Sequence, residues 1–91
     1  MQFMKTVVFR VEGKVQGVWF RQSTKQFADR LGVVGYAKNM SDGSVEVVAQ
    51  GNETEIAELG AFISQGPPLA EVSSIVSSMT DADPMFGFKT F

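Results

Sequence analysis

The stretch Thr6-Val7-Val8-Phe9-Arg10-Val11-Glu12-Gly13-Lys14-Val15-Gln16-Gly17-Val18-Trp19-Phe20-Arg21 changes its period twice. Over residues 6–12, Val7, Phe9 and Val11 alternate with Thr6, Arg10 and Glu12, which is the two-residue period of a half-buried strand. Residues 13–17, bracketed by Gly13 and Gly17, read as a loop. From Phe20 the spacing becomes helical. Phe20, Phe27 and Leu31 share a face with Ala28 beside them, while Gln22, Lys25, Gln26 and Asp29 lie mostly elsewhere. Gly32 stands where a left-handed cap ends a helix.

Working outward, residues 33–39 and 44–50 read as two strands joined through Met40-Ser41-Asp42-Gly43, whose Asp-Gly pair is a hairpin signal. Asn39 therefore falls at a strand end, beside the turn. Residues 52–65 are helical again. Asn52 with Glu55 three residues on resembles a capping box, and Ile56, Leu59 and Ile63 form a buried stripe. Gly66-Pro67-Pro68 stops this helix. Residues 72–79 read as a strand with serine at four positions, residues 81–84 as a turn, and Phe86, Phe88 and Thr90 as a short closing strand. This order predicts an α+β, ferredoxin-like βαββαβ sandwich: an antiparallel sheet with two helices on one face and a short extra C-terminal strand. The 91 residues fit one domain, 1–91, without repeat or linker.

Composition narrows the chemistry. The chain has no cysteine, so disulfides, thiolate nucleophiles and cysteine metal sites are out. It has no histidine, which removes the Ser-His-Asp triad, phosphohistidine and imidazole acid–base catalysis. Glu53, Glu55 and Glu58 read as a solvated helix face and make a poor metal site. Eight basic residues against ten acidic ones leave a net charge of −2, with no basic stripe for nucleic acid. The third strand also lacks the basic-aromatic pattern of an RNA-binding sheet. No apolar run of about 18 residues spans a membrane, and Met1 to Lys5 lead straight into a strand pattern, without an export signal. A cytoplasmic monomer is the expectation.

What remains is the loop into the first helix. Successive backbone N–H groups in a glycine-bracketed loop can converge on an anion, and the helix start adds unpaired N–H groups and a positive dipole end. Arg21 there is unfavourable unless an anion joins it, and its planar fork matches two phosphate oxygens. The motif is neither a P-loop nor a dinucleotide fingerprint. The plain alternative is a solvated arginine after a glycine turn. For Asn39 the alternatives are an amide that fixes a water or substrate oxygen, and a turn-forming residue. Trp19 and Phe20 read as loop wall and core in preference to a stacking platform.

Two segments together resemble the acylphosphatase family. Residues 13–21, Gly-Lys-Val-Gln-Gly-Val-Trp-Phe-Arg, are similar to its first motif; residues 31–39, followed by Asp42-Gly43-Ser44-Val45-Glu46, are similar to its second. Gln50-Gly51 and residues 66–70 extend the likeness over the whole chain. The resemblance implies hydrolysis of acyl phosphates to a carboxylate and inorganic phosphate without metal or cofactor. It implies that Arg21 and Asn39 are catalytic, and that Val15, Gln16, Gly17, Val18, Trp19, Phe20 and Arg21 cradle the phosphate. The family's usual Gly-Trp-Val is here Gly35-Tyr36-Ala37, which gives a hydroxyl that needs a partner if buried. A non-catalytic anion-binding module on the same fold is the competing reading. It would need Arg21 but no water-positioning amide.

Overall fold

The alternating segment forms β1 (Lys5–Lys14) and the helical one α1 (Phe20–Leu31). Then follow β2 (Val34–Asn39), β3 (Val45–Gly51), α2 (Glu53–Gln65), β4 (Glu71–Thr80) and β5 (Phe88–Thr90). The structure, a computed structural model, describes residues 4–91, so part of the segment read as lacking an export signal lies outside the described residues. No helix among those described is long and apolar enough to cross a membrane.

The sheet order is β4-β1-β3-β2-β5. β1 pairs antiparallel with β3 and β4, and β2 antiparallel with β3, as expected. β5 differs: it runs parallel to β2. The reason is where β4 ends. β4 and β5 occupy opposite edges, and β4 finishes at the sheet end where Thr80 faces Thr6. The chain must cross that end before re-entering beside Gly35. The segment expected as a turn is thus part of a crossing strap, residues 81–87. Buried Gln50 holds it: Nε2 donates to Thr6 Oγ1 and to the Asp83 carbonyl, both at 3.1 Å, and Oε1 accepts from the Met85 N–H at 2.7 Å. Because β5 runs with β2, it delivers Phe91 to the end of the sheet that holds Asn39.

β1 is also longer than its alternation suggests. Gly13 and Lys14, read as loop, stay paired with Val72 and Glu71 after a bulge at Glu12/Gly13. Gly13 sits at φ +127°, and a Cβ there would collide with the Glu71 carbonyl oxygen, so glycine is required to keep the bulge.

The core lies between one sheet face and both helices. Phe9 and Val11 of β1, Ala37 of β2, Val45, Val47 and Ala49 of β3, and Phe88 of β5 are buried with Phe20, Ala28, Ile56, Leu59 and Ile63. The predicted α2 stripe is the buried one. In α1 the fully buried set is Phe20, Thr24 and Ala28, spaced by four. Thr24 is polar and was invisible to a hydrophobic count; its hydroxyl donates to the Phe20 carbonyl at 2.8 Å. Phe27 is partly buried and stacks on Phe62, with ring centroids 4.6 Å apart, joining the helices. The capping box is complete: Asn52 accepts from the Glu55 N–H at 2.8 Å, and Glu55 accepts from the Asn52 N–H at 3.2 Å.

β4 is an edge strand that pairs with β1 alone and is mostly exposed, which explains why its serines are tolerated. Ser77 pairs with Phe9 and lines a groove of about 330 Å³ with Phe9, Ile56, Ala57 and Gly60. A serine is too small and too polar to fill it. Ser77→Val should therefore stabilise the fold by about 0.5–1 kcal/mol through added apolar burial. Urea unfolding with an unchanged m-value would show this as a higher midpoint; a lower midpoint would refute it.

Candidate active site

α1 begins without help. Its N-cap is Trp19, in the left-handed conformation (φ 66°, ψ 18°), with no side-chain cap and no acidic residue in the first turn. The first helical amide with a backbone acceptor is that of Ser23, which donates to the Trp19 carbonyl at 3.0 Å. The amides of residues 16–22 have no acceptor among the described residues. Gly17 sits at φ +73° just before them, and a Cβ there would meet only open space, so conformation alone calls for glycine. A left-handed tryptophan costs about 1–2 kcal/mol. The result is a run of unpaired donors at a positive helix end.

These donors border an open cleft of about 400 Å³ lined by Val15, Gly17, Trp19, Phe20, Arg21, Gln22 and Thr90. Of the residues read as a phosphate cradle, five line the cleft directly. Gln16 and Val18 are not on its wall. Val18 turns into the core. Phe20 is core, as expected, at 1% exposure. Trp19 is not buried: it stands 74% exposed at the cleft. It lines the cleft, as a loop-wall residue should, from a left-handed N-cap position outside the helical period.

Arg21 and Asn39 come from distant segments and meet at one atom. The Phe91 carbonyl oxygen accepts from Arg21 Nη1 at 2.7 Å and from the Asn39 N–H at 3.1 Å. The Phe91 N–H donates to the Ala37 carbonyl at 2.9 Å, which fixes the joint. Asn39 does not line the cleft, but its Oδ1 is buried with no hydrogen-bond partner among the described residues. No three His, Cys, Asp or Glu side chains converge anywhere in the described chain.

Sequence reasoning missed two contributors. One is the Phe91 carbonyl, which depends on the parallel β5. The other is the Gln16 side chain, whose Nε2 donates to the Met40 carbonyl at 2.8 Å and the Ser44 carbonyl at 2.9 Å. It ties the loop before α1 to the turn after Asn39. That turn is closed by Gly43 N–H to the Met40 carbonyl at 3.2 Å. Asp42 braces it by accepting from the Ser44 N–H at 3.0 Å and the Ser44 hydroxyl at 2.6 Å, and it pairs with Arg10. The Ser44 bonds, with smaller help from Arg10, hold the Asp42 carboxyl below its usual range. Tyr36 finds the partner its hydroxyl needs in Glu46 at 3.2 Å, and its ring meets Phe91 edge-on at 5.7 Å. Burial, then the Glu46 charge, raises the Tyr36 pKa.

A sequence profile of acylphosphatases matches residues 7–91. The chain belongs to the acylphosphatase family. An acylphosphatase of Thiobacillus denitrificans is 49% identical over 80 residues, covering 88% of this chain and 90% of its own. One of Xanthomonas euvesicatoria pv. vesicatoria is 46% identical over 87 residues, covering 96% and 99%. A solved acylphosphatase from Coxiella burnetii superposes with a TM-score of 0.91 at 35% identity, covering 97% of this chain and 93% of that one. As a member of this family the chain is a hydrolase, and its substrate is an acyl phosphate.

Within this acylphosphatase, the Gln16 side chain is a second tie between the two halves of the site, beside the Phe91 carbonyl. Gln16→Leu keeps the side chain's size but removes both donors, and should lower stability by about 1–2 kcal/mol. A midpoint in urea equal to that of the unaltered protein would show that the tie carries nothing.

Proposed function

We propose that the amides of residues 15–20 and the Arg21 guanidinium hold the phosphoryl group of an acyl phosphate, and that Asn39 orients the attacking water. The observation that carries this reading is the run of unpaired amides at an uncapped helix start with an arginine in its first turn. Neither feature is stable by itself. An oxyanion with three equatorial oxygens satisfies both. Arg21 spends one N–H on the Phe91 carbonyl, which aims the rest of its fork.

The chemistry fits a chain without histidine. Water attacks phosphorus in line with the leaving oxygen, and the P–O bond to the acyl group breaks. Its electron pair leaves on a carboxylate, a group too weakly basic to need a protein acid. The water oxygen stays on phosphorus, and its proton passes to a phosphoryl oxygen, so no protein base is required. Catalysis is then positioning and charge stabilisation, which is what phosphoryl transfer mainly demands. The buried, unpartnered Asn39 Oδ1 supports the water-orienting role, because an acceptor left that way is destabilising until an O–H reaches it. No step calls for a metal ion.

The test is benzoyl phosphate hydrolysis in EDTA. Arg21→Ala should lower kcat/KM by roughly a hundredfold or more and weaken inhibition by inorganic phosphate. Asn39→Ala should lower kcat while leaving phosphate inhibition intact. Near-normal turnover in Arg21→Ala would refute the cradle. Equal loss of turnover and phosphate affinity in Asn39→Ala would make Asn39 a support of the loop. The same reading takes the enzyme as a single-domain cytoplasmic monomer; sedimentation at a mass above that of one chain would overturn the monomer.

A further inference from the structure

The proposed chemistry uses the amide of Trp19, and its carbonyl accepts the Ser23 N–H of the helix at 3.0 Å, so the indole is left without a task. Every local requirement at this position argues against tryptophan. A helix N-cap favours Ser, Thr, Asp, Asn or Gly. A left-handed backbone favours Gly or Asn, and Trp19 is the one non-glycine residue with positive φ among the described residues. The ring is not compensated by the core, since it stands 74% exposed. It does line the cleft, together with Gly17 and Arg21. Glycine would satisfy the backbone at little loss to packing, so what distinguishes tryptophan here is the surface it offers to a ligand.

The direction of the substrate decides which part of the ligand that is. The donors at the start of α1 face the phosphoryl oxygens. The acyl group departs on the side opposite the incoming water and cannot lie among those donors. It projects to the open part of the cleft, where the uncharged wall includes Trp19 and Val15. We propose that the Trp19 indole is the platform for the acyl group, and that it gives this enzyme a preference for acyl phosphates with a flat, apolar acyl group, such as an aroyl phosphate, over short aliphatic ones. A flat ring stacks on the indole, and an exposed face on each is removed from water. A methyl group covers too little of it to benefit. This inference rests on the phosphate end of the substrate lying at Arg21.

The chain has a single tryptophan, so its fluorescence reports this residue alone. Benzoylmethylphosphonate and acetonylphosphonate are unreactive analogues of benzoyl and acetyl phosphate that share the phosphonate and differ in the acyl group. At saturation the first should change Trp19 emission clearly more than the second. Equal changes would overturn the platform. Kinetics give a second readout. The ratio of kcat/KM for benzoyl phosphate to that for acetyl phosphate should fall about tenfold in Trp19→Gly and stay near its original value in Trp19→Phe. Taking the ratio cancels any loss that both substrates share through the loop amides. An unchanged ratio in Trp19→Gly would refute the proposal. Failure of the underlying reading would show separately, as undiminished affinity for inorganic phosphate in Arg21→Ala.

Discussion

Val45 faces Val11 across one side of β3 and Asn39 across the other, and this double register fixes the site. The end of β1, which feeds the loop into α1, and the end of β2, which carries Asn39, are thereby pinned to one end of the sheet. The same register turns Val45, Val47 and Ala49 toward the helices, where all three are buried. A slip by one residue would put these side chains on the other face. Core burial and site geometry are therefore a single constraint. Burying three central apolar side chains is worth several kcal/mol, far more than any contact within the site, so the core dictates where Arg21 and Asn39 meet.

The two helices show how the chain spends its polar groups. α2 opens with a complete capping box and with Glu53 and Glu55 in its first turn, so its dipole and free amides are satisfied internally. α1 opens with no side-chain cap, no acid and an arginine. Both starts obey the same electrostatics, and the difference lies in where the negative partner comes from. In α2 it is built into the sequence. In α1 no such partner is built in among the described residues, and the proposed phosphoryl group would supply it.

Much of this was legible in the sequence, because it rests on local rules. The strand period of Val7, Phe9 and Val11, the stripe of Ile56, Leu59 and Ile63, and the Asn52–Glu55 cap each depend on residues close together in the chain. Arg21 stands out as a cation at a helix start, but position alone leaves it and Asn39 open to plain readings, and it is the resemblance of the two motifs that singles out the pair. What escaped depends on distant segments. The direction of β5 follows from β4 and β5 lying at opposite edges, and the strap between them is held by Gln50, a residue that as sequence is one polar position in a strand. Phe91 enters the site only through that crossing. The amide of Gln16 finds its acceptors at Met40 and Ser44, far along the chain. The left-handed backbone of Trp19 also escaped, because nothing in a tryptophan's identity signals a positive φ.

Three unsatisfied or strained features among the described residues are gathered at one end. The bare amides of residues 16–22, the left-handed Trp19 and the buried Oδ1 of Asn39 all lie where β1 and β2 finish. The strained backbone and the orphaned oxygen together cost about 2–5 kcal/mol, a large share of the 5–15 kcal/mol that holds a domain together. At the opposite end Gln50 satisfies all of the partners it meets. A single event could relieve all of these defects together. A phosphoryl group entering the cleft would take up the amides, with its water supplying a hydrogen to Asn39. On the proposed reading, the free energy withheld from folding at this end would be released in binding and in the transition state, where it would lower a barrier.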